Sequence, residues 1–235
     1  MQTTPHAKFL YSSQKDVENI IIGLNTVSHG RVADKSILAL VEKYGANPSR
    51  DAIHEYVVNI WKNKQPIQYI LISQVQEYWN SIEEKFFTHL ADRMQLESFF
   101  DVNILHGYLS IRWGSGYNSH ENWFAISTHN GTLKNSLTAM HEIMHIFFHK
   151  QWWELCKEQG LEEKNIWDVK EAMTALLNLW FKNQIIDVDT GYEEHSELRF
   201  LIEKWFLESR NFKRTLIKAC KFMKEHKEKS PVWVK

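Results

Sequence analysis

The chain has 235 residues, 43% hydrophobic and 24% charged, with a formal net charge of −1. That length supports a substantial core, in one domain or two closely packed lobes. Balanced charge argues against nucleic acid as a partner, and no apolar run reaches membrane-spanning length.

The two cysteines, Cys156 and Cys220, form neither a C-x-x-C pair nor a disulfide framework. The first residues lack the basic and apolar segments of a signal peptide. These features together lead to the expectation of a cytoplasmic protein. Lys and Arg are dispersed apart from a basic stretch around Lys213 to Lys229, whose alternation with Glu and apolar residues reads as a solvated helix face.

Prolines occur only at positions 5, 49, 66 and 231, and the long span between the last two suits long helices. Periodicity predicts helices over 16–24 and 34–44, the second stopped by Gly45, and another opened by Asp51. After Pro66, apolar residues from Ile67 to Met94 recur at helical spacing. Between Ser98 and Gly131 glycines cluster and β-formers take over. Phe99–Leu105, Tyr108–Trp113 and Trp123–Ser127 read as strands, with a turn at Gly114-Ser115-Gly116. A helix follows Asn130-Gly131-Thr132, another is expected at about Ile166 to Phe181, and the region from Glu193 is helical again. The expected fold class is α+β and mainly helical, with a small sheet beside the 137–148 helix. A helical N-terminal region, 1–95, would pack on a core spanning 96–235.

The motif that carries chemistry is His141-Glu142-Ile143-Met144-His145. Residues four apart on a helix lie on one face, so both imidazoles can reach one metal ion, with Glu142 beside them to handle a proton. Chance alone would produce such a match in about 5% of chains of this composition. The surroundings raise the odds. From Leu137 to Phe148 the only polar residues are Thr138, His141, Glu142 and His145, which fall on one stripe of an otherwise apolar helix. Buried polar groups need partners, and a metal ion would supply one.

A catalytic zinc takes three protein ligands and keeps one position open. His149 is about 12 Å along the helix axis from His141, too far to share the ion. Glu171, 26 residues after His145 on the next expected helix, is the preferred third ligand. Asp168, one turn earlier, competes with it, and Glu194 and His195 are weaker alternatives. Small residues near Glu171 on the helix wheel would let the two helices approach closely.

His-Glu-Ile-Met-His followed by a helical Glu171 resembles the gluzincins, the thermolysin-like zinc peptidases. With His149 and Glu171-Ala172 included, the pattern is also similar to the short peptidases that cleave phage repressors. The chain departs from the thermolysin pattern at Val169-Lys170, before Glu171, and at Ala175, where an acidic residue would be expected. The resemblance covers about residues 123–180. It implies a zincin-like core and a zinc ion held by His141, His145 and Glu171. Glu142 would be the general base of peptide hydrolysis. Tyr192 and His195 are candidate donors to the developing oxyanion. The substrate would be a peptide or protein, bound in extended form along a sheet edge beside the metal, for which the Trp123–Ser127 strand is the candidate. Two other readings share the motif: a non-catalytic metal-binding interaction protein, and a metal hydrolase acting on a non-peptide amide or ester.

Overall fold

A computed structural model describes residues 4–28, 34–62, 64–183 and 187–226. The fold is α+β and mainly helical, with one four-stranded mixed sheet. In chain order the elements are β1 (His6–Leu10), α1 (Ser13–Ser28), α2 (Lys35–Tyr44), α3 (Arg50–Trp61), α4 (Gln65–Met94), β2 (Ile104–Ser110), β3 (Tyr117–Asn118) and β4 (Trp123–Ser127). They continue with α5 (Thr132–Gln151), α6 (Trp153–Glu158), α7 (Glu163–Met173), α8 (Ala175–Trp180), a 3-10 turn (Glu193–His195), α9 (Ser196–Ser209) and α10 (Phe212–Glu225). Among the described residues no helix is long and apolar enough to cross a membrane.

The chain divides into two compact units. One contains His6–Ser81 and Ile104–Glu142, hence the sheet, α1 to α3, the first part of α4 and the N-terminal half of α5. Its strands run in the order β1-β2-β4-β3; the first three are parallel and β3 is antiparallel to β4. Gly107 lies in β2 where Phe9 of β1 and Phe124 of β4 close over the sheet. A Cβ there would meet Phe9 Cδ1 at 2.6 Å, so a side chain is excluded by two rings. The outer edge of β1 is covered by α4: Gln76 accepts from the Phe9 N–H at 2.8 Å and donates to the Ala7 carbonyl at 3.1 Å. One side-chain amide thus stands in for a neighbouring strand, which protects an edge that would otherwise be free to pair.

Asp16 on α1 is fully buried in this unit. Its carboxylate accepts from the Trp61 indole, the Ser110 hydroxyl and the Ile111 N–H, tying α1 to α3 and to the end of β2. Burial pushes this carboxyl up to about 6, against the lowering effect of those three donors. Asp34 caps α2 by accepting from the backbone of Ser36 and Ile37, and pairs with Arg112 at 2.8 Å.

The other unit contains Ile82–Asn103 and, among the described residues, 143–226, including the C-terminal half of α5 and α6 to α10. Its core holds Phe86, Phe87, Phe147, Phe181, Phe206 and Phe212, all nearly inaccessible.

Several expectations are corrected. Phe99–Leu105 is not a strand up to Asn103, because Phe100 and Asp101 take positive φ angles of 51° and 59° and turn the chain. Phe99 packs instead on Phe87 and Phe147, which explains an apolar run that does not lie in a sheet. Of the expected strand at 108–113, residues 108–110 are the end of β2 and 111–113 lie outside it. The expected helix at 166–181 is two helices, divided at Thr174. Strand β4 has its predicted bounds but is interior, between β2 and β3, so it offers no free edge along Trp123 and Phe124.

Candidate metal centre

Helix α5 starts where Asn135 locks onto the end of β4. The Asn135 amide accepts from Ser127 N–H and donates to the Ser127 and Asn130 carbonyls, replacing a strand partner with one side chain. From there the helix is buried almost all round. Ala139, Met140, Ile143, Met144, Ile146, Phe147 and Phe148 are inaccessible, as the apolar pattern predicted. Glu142 and His145 are buried as well, and His141 is half-buried.

Ligand atoms of His141, His145 and Glu171 all lie within 4.8 Å of one another. Among the described residues this is the one group of three or more acidic, His or Cys side chains placed to share an ion. His145 Nε2 and Glu171 Oε2 are 3.3 Å apart. Zinc bonds of about 2.1 Å at tetrahedral angles need ligand atoms roughly 3.4 Å apart. The His145–Glu171 separation is that of an imidazole–carboxylate hydrogen bond and is also compatible with two ligands sharing one ion. Two imidazoles and one carboxylate, leaving a fourth position open, form a donor set suited to catalytic zinc.

Glu171 is held from three sides. Its Oε1 accepts from Lys170 Nζ at 2.8 Å. Its backbone carbonyl accepts from the Thr174 hydroxyl at 2.7 Å and from Arg199 Nη1 at 3.4 Å. Arg199 also donates to Thr174 Oγ1 at 2.8 Å and to Asp189 Oδ1 at 3.1 Å. The guanidinium takes up carbonyl capacity at the end of α7, which accounts for the break at Thr174. Gly191, at φ +63°, lets the loop pass: a Cβ there would stand 2.5 Å from Arg199 Nη1.

Glu142 has a partner of its own. The Ser115 hydroxyl donates to Glu142 Oε1 at 2.5 Å. Ser115 lies in the Gly114-Ser115-Gly116 turn, wrapped around Arg112, whose Nη1 donates to the Ser115 carbonyl at 3.3 Å. A Cβ on Gly114 would meet Arg112 Nη2 at 2.9 Å, and one on Gly116 would meet Asn19 Oδ1 at the same distance. The turn is legible in the sequence, whereas the contact of its serine with Glu142 is not.

The other candidates fall into place differently. Asp168 Oδ1 lies 3.2 Å from His195 Nε2, and both side chains are buried, so Asp168 is paired with that imidazole and is absent from the three-residue group. His195 Nδ1 is buried with no hydrogen-bond partner among the described residues. Tyr192 is exposed, with its ring edge-on to His195 at 5.6 Å. Glu194 is exposed. His149 stacks on Trp153 at 4.2 Å, outside the metal group, as its axial distance from His141 required.

No protein-family model matches the chain, and neither a curated protein nor a solved structure matches it. The reading of the site therefore stands on its chemistry and on the resemblance of its motif.

Proposed function

We propose that this chain is a zinc-dependent peptidase in which His141, His145 and Glu171 hold the metal and Glu142 is the general base. The observation that carries the reading is the 3.3 Å approach of Glu171 Oε2 to His145 Nε2. A carboxylate 26 residues from the motif, on a separate helix, is the third donor that a five-residue match alone could not guarantee.

Zinc held by these three residues would supply Lewis acidity to a water nucleophile and to the scissile carbonyl. Glu142 accepts the proton of the attacking water and passes it to the leaving amine. The hydroxyl of Ser115 orients Glu142 for that transfer. His195 is the proposed donor to the developing oxyanion. With Nε2 committed to Asp168, Nδ1 is the ring nitrogen left for such a contact. Asp168 lies one turn before Glu171 on α7, which puts the His195 anchor and the third ligand on the same side of that helix. Tyr192, beside His195, is the weaker donor candidate. An extended peptide or protein substrate would pair with β3 and the Gly114–Gly116 turn rather than with β4, because β4 is interior. The cytoplasmic setting belongs to the same proposal and rests on Cys156 and Cys220 being free thiols although their sulfurs are 3.7 Å apart.

The test is Glu142→Gln with zinc content and peptide hydrolysis measured on the same preparation. Retention of about one zinc with loss of hydrolysis by about a thousandfold or more supports the base role. Full turnover by the variant would remove Glu142 from the mechanism. Zinc binding with no cleavage of any peptide by the wild type would favour the non-catalytic reading.

A further inference from the structure

Lys170 is the charge in this fold that a metal-bound Glu171 does not by itself explain. Its side chain is wholly buried. Its Nζ lies 2.8 Å from Glu171 Oε1 and 4.4 Å from the centroid of the Trp167 ring. Trp167 is three residues earlier on α7 and so on the same side of the helix as Lys170, where its ring face supports the ammonium. Adjacent helical residues point about 100° apart, so the lysine must fold back along the helix to reach the neighbouring carboxylate. Burying an ammonium in this way is costly, and the ordinary setting of a lysine is solvent.

The consequence for Glu171 is a division of its two oxygens. Oε2 faces His145 and Oε1 faces Lys170. We propose that Lys170 is a positioning residue that holds Glu171 as a one-oxygen ligand and so keeps a coordination position open for water and substrate. The inference rests on the metal reading of the site. A carboxylate beside a divalent ion can bind through one oxygen or both, and a two-oxygen Glu171 would crowd the position that catalysis needs. An ammonium on Oε1 opposes that switch. It also draws charge from the carboxylate, so the metal is held less tightly and stays more electrophilic. The lysine thus trades metal affinity for an open site.

The experiment compares full-length wild type, Lys170→Met and Lys170→Arg. Zinc affinity is read by chelator competition, and geometry by the visible absorption of the cobalt(II)-substituted proteins. Wild type should show the intense bands of a four-coordinate ion. Lys170→Met should show the weaker bands of a five-coordinate ion and bind zinc more tightly, because a like charge near the ion is removed. Lys170→Arg, which keeps a cation donor for Oε1, should restore the wild-type spectrum. A lysine needed only for packing would instead weaken metal binding when removed. An unchanged spectrum in Lys170→Met, or weaker zinc binding, overturns the proposal while leaving the metal site intact. Wild type that binds neither cobalt nor zinc overturns the metal reading, and this inference with it. Should Lys170→Met fail to fold, zinc-edge X-ray absorption of the wild-type holoprotein decides. Four nitrogen and oxygen neighbours uphold the one-oxygen ligand, and five refute it.

Discussion

Ser115 donates a 2.5 Å hydrogen bond to Oε1 of Glu142, joining a turn after β2 to the acidic residue of the motif helix. The turn is shaped by Arg112 and by two glycines at which a Cβ would press on the Arg112 and Asn19 side chains. A hydrogen bond to a charged group contributes about 1.5–3 kcal/mol. If it orients the base during proton transfer, Ser115→Ala should lower kcat by roughly ten- to a hundredfold. Zinc content should not change. Steady-state kinetics with metal analysis check this, and unchanged kcat would show that the contact only packs the turn.

Glu171→Gln keeps the shape of the side chain and removes its charge. An amide is a poor zinc donor, so affinity should fall by about a hundredfold, with the fold retained. Chelator competition measures it. Wild-type affinity in the variant would transfer the third-ligand role to another residue.

Asp168 and His195 should behave as a unit. His195→Ala removes the proposed oxyanion donor and should reduce kcat by about a hundredfold or more, with zinc retained. Asp168→Asn loosens the imidazole without removing it and should cost less. The double variant should be no worse than His195→Ala, since Asp168 acts through that ring. Additive losses would place Asp168 in a separate role.

Buried Asp16 predicts a pH-dependent stability. Its carboxyl is raised in the fold from 3.8 to about 6, chiefly by burial. A raised acid leaves the folded state binding more protons than the unfolded state. Its favourable contribution is therefore complete below about pH 4, declines as pH rises to about 6 and is lost above that. The span corresponds to about 3 kcal/mol. Urea unfolding of wild type and Asp16→Asn between pH 4 and 7 tests it. The difference between the two curves should change over that window, and parallel curves would refute the assignment.

Much of the helical scaffold is legible in local sequence. Asp34 and Gly45 bracket α2, and the apolar spacing from Ile67 to Met94 marks nearly all of α4. Strand β1 has no local signature because it is five residues long and pairs in parallel with β2, almost a hundred residues away. The break at Thr174 has none either, because the Arg199 guanidinium beside it comes from another helix. Lys170 carried no signal, since a lysine in a helix reads as a solvent-facing residue wherever its neighbours are unknown.

Sequence alone determined that His141 and His145 share a helix face and that His149 cannot join them, because both follow from the rise and twist of one helix. It also determined that this helix is buried, because apolar side chains surround the polar stripe. Tertiary structure decided which carboxylate meets His145. Asp168 and Glu171 lie one turn apart on α7, and spacing permits either. The choice depends on what lies opposite each carboxylate: His195, from the 3-10 turn, takes Asp168, while Glu171, with one oxygen on its neighbour Lys170, keeps the other 3.3 Å from His145.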